Sequence, residues 1–269
     1  MRKFFIFVTA FVTLIPWIFG INATYAADNT GWLDLGNMDK GSVSIQYDVK
    51  PDLKTKLLIV KGKEQYTYNL FADSEDHSFS LQLGNGDYSI SLLEQTSGSK
   101  YRLVHKETVK LDLQDSSVVF LNSIQNVSWN DSSKAVLKAK ELTQNKTSDA
   151  EKVKAIYDYI ISNIKYDNQL AEKSPTDYIP QIDRTFVTQK DICYGYSALF
   201  AAMLRSVDIP TKLVMGNTDY VTTYHAWNEV YLNGSWVIID TTVDSGWKGT
   251  TTAFEMIKNA SKYSPARQY

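Results

Sequence analysis

Only one cysteine, Cys193, occurs in 269 residues. A single thiol excludes any intramolecular disulfide and any zinc cluster built on thiolates. Histidine is nearly as scarce: His77, His105 and His225 are the full set, and no two of them stand at metal-ligand spacing. No glycine-rich phosphate loop occurs either, so neither a metal nor a cofactor is expected. Charge of one sign is also lacking. With 28 basic and 30 acidic side chains the formal net charge is −2, which gives no case for nucleic acid as a partner. A hydrophobic content of 43% is that of a globular chain.

Long apolar runs are absent except at the amino terminus. Met1-Arg2-Lys3 is a cationic start, Phe4 to Ile15 is apolar, and Pro16 interrupts the run. Small residues follow, with Thr24 and Ala26 at the −3 and −1 positions of a cleavage site. Residues 1–26 are therefore expected to be a signal peptide, and the protein to be secreted or displayed at the cell surface, in an extracytoplasmic setting. Association with membrane or cell wall is compatible with that placement. No cysteine follows the apolar run closely, so a lipoprotein anchor is not expected. Outside the cell a lone thiol is open to oxidation, which makes Cys193 a candidate for chemistry.

The remaining chain, roughly 240 residues, is long enough for two ordinary domains. Residues 27–126 read as strands. Val43, Ile45, Tyr47 and Val49 alternate with polar residues, as do Tyr66, Tyr68 and Leu70, and then Phe79, Leu81 and Leu83. Gly84 to Asp87 form a turn into Tyr88, Ile90 and Leu92, and Tyr101 to Leu113 and Val118 to Leu121 complete the series. This spacing predicts an all-β, sandwich-like domain. His77 and His105 read there as ordinary surface or strand residues.

Residues 127–269 change texture. Ala135, Val136, Ala139 and Leu142 suggest a helix, and Ser148 with Glu151 is a capping-box pattern opening a second. Asp167 to Lys190 reads as a long connection that could wall a site. Ala198, Phe200, Ala201 and Leu204 predict a buried helix that ends before Pro210. Thr211 to Met215, His225 to Leu232 and Trp236 to Ile239 read as strands, the last two joined by the hairpin signal Asn233-Gly234. Helices followed by antiparallel strands make this half, and the fold as a whole, α+β.

Cys193 falls at the start of the buried helix, where unpaired N–H groups and the helix dipole favour a thiolate. A two-residue hairpin loop pairs Leu232 with Ser235 and makes His225 the diagonal neighbour of Asp240 on one face, within hydrogen-bonding range. Cys193, His225 and Asp240 are thus candidates for nucleophile, base and orienting carboxylate. The Cys193 N–H is a natural oxyanion donor, with Gln189 a weaker second candidate. Taken singly, each residue has a bland reading: a small buried thiol, a satisfied histidine and a turn aspartate. Their joint occurrence points to catalysis.

Three blocks carry a resemblance: Asp191-Ile192-Cys193-Tyr194-Gly195-Tyr196-Ser197, His225-Ala226-Trp227-Asn228-Glu229-Val230, and Gly234-Ser235-Trp236 running to Asp240. From about Ser133 to Asp244 the chain resembles the transglutaminase-like superfamily. That resemblance implies a papain-like catalytic core with Cys193 as nucleophile, His225 as base and Asp240 as orienter. It departs from the family pattern at Asp191 and Asp208, where glycine is usual, and at Thr241, where proline is common. An acidic side chain at 191 would oppose thiolate formation. The resulting expectation is an exported cysteine acyl-transfer enzyme acting on an amide, either a peptidase or amidase or a protein transamidase. Extracellular proteins or cell-wall peptides would be the substrates. The alternative is a catalytically inert binding or scaffold module at the cell surface.

Overall fold

The computed structural model of the chain describes residues 31–72 and 78–269. The expected signal segment, 1–26, and His77 lie outside the described residues. Among the described residues no helix is long and apolar enough to cross a membrane.

The alternation read in the first half produces two antiparallel sheets. Strands β1 (Leu33–Asp34), β2 (Ser42–Ile45) and β5 (Ser78–Ser80) form one, in the order β1-β2-β5. Strands β3 (Thr55–Lys61), β4 (Glu64–Leu70), β6 (Gly86–Ser97) and β7 (Lys100–Leu111) form the other, in the order β4-β3-β6-β7. Every second side chain points inward: Leu57 and Ile59 on β3, Tyr66 and Tyr68 on β4, Tyr88, Ile90 and Leu92 on β6. With Val43, Ile45 and Phe79 from the first sheet they make a single hydrophobic core. His105 lies on β7, stacked on Trp32 with ring centroids 5.3 Å apart. Val118 to Leu121, expected as a strand, is instead part of a 3-10 helix, Ser116–Leu121. Asp115 starts that helix, its side chain accepting from the Ser117 N–H.

The second half opens with helices α1 (Lys134–Thr143) and α2 (Asp149–Asn163). The Ser148–Glu151 capping box is formed in full. A two-residue strand, β8 (Lys165–Tyr166), follows, and the long connection expected after it is largely ordered as α3 (Asn168–Lys173) and α4 (Ile182–Thr188). Asp167 explains the first of these helices, since its carboxylate caps the Leu170 N–H. Strand β9 (Lys190–Asp191) pairs parallel with β8 and leads directly into α5 (Cys193–Arg205). A four-stranded antiparallel sheet follows, with β10 (Thr211–Thr218), β11 (Val221–Leu232) and β12 (Ser235–Ile239). Helix α6 (Thr241–Trp247) and an edge strand, β13 (Tyr263–Gln268), complete the fold, the sheet order being β12-β11-β10-β13.

Helix α5 is the centre of this half. Its residues from Gly195 to Arg205 are all buried, packed by α1, α2, α4 and α6 and by strands β10 and β11. It ends in a Schellman turn, with the Ile209 N–H bonded to the Leu204 carbonyl and the Asp208 N–H to that of Arg205. Asp208 has φ 65°, the left-handed conformation that explains why glycine is usual there.

Strand β13 also ties the two halves together. Its Arg267 donates to the Gln65 carbonyl and its Gln268 N–H to the Tyr66 hydroxyl, while Tyr269 packs edge-on against Tyr66 and Tyr68. The buried Arg205 guanidinium donates to the carbonyls of Asn122, Thr211 and Tyr269, so it too bridges the halves.

Candidate active site

Cys193 is the first residue of α5, directly after the extended Ile192. Its backbone N–H therefore has no partner inside the helix and points out of the helix start. The side chain is partly exposed. What fixes this start is the segment before it. Parallel pairing of β8 with β9 sets Tyr166 against Asp191, and the Asp167 N–H donates to the Asp191 carbonyl.

Asp191, flagged as a departure, is fully buried and fully partnered. Its carboxylate accepts from the Tyr178 hydroxyl at 2.8 Å, Arg184 Nη2 at 2.7 Å, Thr185 Oγ1 at 2.5 Å and the Ile192 N–H at 2.8 Å. The Arg184 charge compensates it, so the carboxylate braces the loop before Cys193 instead of standing free beside the thiol. Gly195 leaves the space this requires: a Cβ there would sit 2.0 Å from Asp191 Cγ.

The hairpin expected from Asn233-Gly234 is present in the expected register, with Leu232 opposite Ser235 and Asn228 opposite Ile239. It carries His225 and Asp240 to one place. His225 Nε2 and Asp240 Oδ2 are 2.9 Å apart, and both residues are buried. His225 lies five residues into its strand, not at its head, because β11 begins at Val221. Asp240 has a second task, capping α6 through Oδ1 to the Val243 N–H at 3.1 Å. Asn228 holds the hairpin to the helix: its Nδ2 donates to the Ser197 carbonyl of α5 at 3.0 Å and to the Lys212 carbonyl of β10 at 3.1 Å. That link sets the distance between the Cys193 and His225 elements.

His225 also reaches the Cys193 thiol as a hydrogen-bond partner. Burial opposes its charge, but the hydrogen bonds to Asp240 and Cys193 and the charges of those two groups outweigh burial and raise its pKa to about 9. The structure therefore brings Cys193, His225 and Asp240 together around one imidazole. Gln189 is exposed, in a left-handed conformation at the end of α4, and its backbone carbonyl accepts from Lys165.

Tyr263 and the partners of Asp244 were not read from the sequence. Tyr263 donates its hydroxyl to Asp240 Oδ2 at 3.0 Å. Asp244 lies one turn after Asp240, bonded to Tyr157 at 2.8 Å and paired with Lys258, and burial raises its pKa to about 6 against those two donors. His225 opens onto a cleft of about 540 Å³ lined also by Lys165, Tyr166, Tyr196, Tyr220 and Trp247. No local periodicity marks these positions. Among the described residues no cluster of His, Cys, Asp and Glu is arranged to hold a metal ion.

Comparison with known proteins adds a family context. Residues 138–241 match the family model described as the transglutaminase-like superfamily. The chain is similar to kyphoscoliosis peptidase of Mus musculus, 36% identical over 123 residues, covering 42% of this chain and 18% of that protein. It is similar also to kyphoscoliosis peptidase of Homo sapiens, 27% identical over 216 residues, covering 77% of this chain and 30% of that protein. The chain thus spans a third or less of the length of these relatives. A solved structure, the periplasmic domain of TgpA from Pseudomonas aeruginosa bound to ethylmercury, superposes with a TM-score of 0.41 at 14% identity, over 79% of this chain and 96% of that one.

Proposed function

From a chain whose residues 138–241 match the model of the transglutaminase-like superfamily, we propose a cysteine acyl-transfer enzyme that acts on an amide outside the cytoplasm. The observation that carries this reading is the buried 2.9 Å contact of His225 with Asp240, on an imidazole that also faces the thiol at the start of α5.

In this reading the Cys193 sulfur attacks the amide carbonyl as a thiolate, with the imidazolium of His225 beside it. The developing oxyanion is held by the Cys193 N–H. His225 gives its proton to the leaving amine as the C–N bond breaks and a thioester forms. Asp240 keeps the imidazole in the tautomer that presents its other nitrogen to sulfur, and stabilises the cation. Water or an amine then attacks the thioester, with His225 taking the incoming proton. Water makes the protein a peptidase or amidase, and an amine makes it a transamidase. The aromatic side chains of the cleft suit an extended peptide, and the only charged lining group besides His225 is Lys165. Extracellular proteins and cell-wall peptides are the substrates proposed, consistent with the cationic and apolar amino terminus.

The test is to incubate the protein with cell-wall fragments and with a protein acceptor, each with and without a primary-amine probe, and to read products by mass spectrometry. Wild type is expected to release amine or to incorporate the probe, and Cys193→Ala to lose at least about 10³-fold of that rate. Equal rates for wild type and Cys193→Ala would refute the reading, as would a Cys193 thiol that alkylates no faster than free cysteine.

A further inference from the structure

Asp240 is fully buried, and its two oxygens receive three donors. Oδ1 takes the Val243 N–H at 3.1 Å. Oδ2 takes both His225 Nε2 at 2.9 Å and the Tyr263 hydroxyl at 3.0 Å. Tyr263 is itself buried, opens β13, and stands opposite Thr218 of β10. Its ring packs on Trp227 at 4.9 Å and on Tyr220 at 5.7 Å, and Trp227 in turn lies near-parallel to the His225 ring at 6.4 Å. The phenol is thus held from several sides, with its one hydrogen aimed at the oxygen that grips the imidazole.

An ionised carboxylate only accepts, so the direction of this bond is settled: tyrosine donates. Burial first, and then the Asp240 charge, push the Tyr263 pKa far up, which keeps the phenol protonated. Such a donor does two things. It fixes the carboxylate torsion, so that Oδ2 cannot swing away from His225. It also withdraws negative charge from Oδ2, so the imidazolium is stabilised less than it would be by an unshared buried carboxylate. A cation gripped too tightly is a weak acid and is slow to hand its proton to a leaving amine.

We propose that Tyr263 is a positioning residue of the acyl-transfer centre, holding Asp240 Oδ2 towards His225 and sharing that oxygen's charge. The proposal rests on the reading of Cys193, His225 and Asp240 as the reacting set. The other titratable groups facing this pair are Cys193 from α5, Asp244 from α6 with its partners Tyr157 from α2 and Lys258, and Tyr220 from the turn before β11. None of these donates to Asp240 Oδ2, so the hydroxyl of Tyr263 can be removed alone.

The experiment is nuclear magnetic resonance titration of the histidine side chains in the full chain. Only three histidines exist, and the His225 signal is the one lost in His225→Gln. Tyr263→Phe deletes one hydroxyl and keeps the ring. The expected result is a rise of about one pH unit in the His225 midpoint, as one charge-assisted hydrogen bond to Oδ2 is lost. In turnover, kcat falls while KM holds. A folded Tyr263→Phe with an unchanged or lowered His225 midpoint would overturn the proposal, since a residue serving only to pack would alter melting and leave the titration alone. Should that variant not fold, the wild type still decides: a downfield phenol proton that moves on Asp240→Asn supports the bond, and one that does not move overturns it. If Cys193→Ala keeps full turnover, the acyl-transfer reading falls instead, and the titration remains readable independently.

Discussion

At the residue scale His225 comes first, because its charge state is linked to folding and, in the proposed mechanism, to chemistry as well. Its ordinary pKa is 6.5 and the folded protein raises it to about 9. The folded state therefore binds this proton more tightly than the unfolded chain. The stability so contributed is complete below about pH 6.5 and is lost as pH rises through about 9. The melting temperature of the wild type should fall across that window relative to His225→Gln. Parallel melting curves for the two proteins between those pH values would show that His225 is not linked to folding. Asp244 does not compete with Asp240 for His225: it is committed to Tyr157 and Lys258, and of the two aspartates Asp240 is the one that bonds the imidazole.

At the scale of elements, the decisive arrangement is the turn from β9 into α5. Asp191 closes β9, and its carboxylate fills the space left by Gly195, the third residue of α5. The two positions are therefore one unit. Gly195→Ala alone places a methyl group 2.0 Å from Asp191 Cγ and is expected to destabilise by about 3 kcal/mol or more. Replacing Asp191 by glycine in the same chain removes the clash, and the double variant should be less destabilised than the sum of the single ones by about 2 kcal/mol. Strict additivity in urea melts would show that the two side chains do not share this space. The same element shapes the environment of the thiol, since Arg184 and Tyr178 turn Asp191 into a brace.

At the scale of the molecule, the two halves have separate hydrophobic cores but not separate polar accounts. Residues 116–122 bridge both: Phe120 packs edge-on against Trp236 at 5.3 Å, and the Asn122 carbonyl accepts from buried Arg205 at 2.7 Å. A fragment beginning at Gln125 keeps Cys193, His225, Asp240 and Tyr263, yet leaves Arg205 Nη1 without its acceptor. A fragment beginning at Ser116 keeps that acceptor. The longer fragment should be more stable by about 1–3 kcal/mol, the usual cost of an unpaired buried donor. Both, once folded, should retain the alkylation rate of Cys193. Equal stability by thermal melting would mean that the Asn122 contact contributes nothing, and loss of thiol reactivity in both would mean that the first half completes the site.

The sequence by itself determined the features that depend on near neighbours along the chain. Alternation placed the strands of the first half, Ser148 and Glu151 placed the start of α2, and Asn233-Gly234 set the register that brings His225 beside Asp240. Cys193 at the start of a buried helix was legible for the same reason, since helix periodicity and the position of Pro210 are local signals. Strand β13 was not legible: Pro265 interrupts it and its side chains do not alternate, which an edge strand tolerates because one side of its backbone needs no partner. The short helices of the stretch before Cys193 were hidden by its prolines and polar residues. Tyr263 on Asp240, Arg184 and Thr185 on Asp191, and Asn228 on Ser197 join segments whose meeting has no imprint in local pattern. Only the tertiary structure decided them, because a buried carboxylate must find its donors wherever packing presents them.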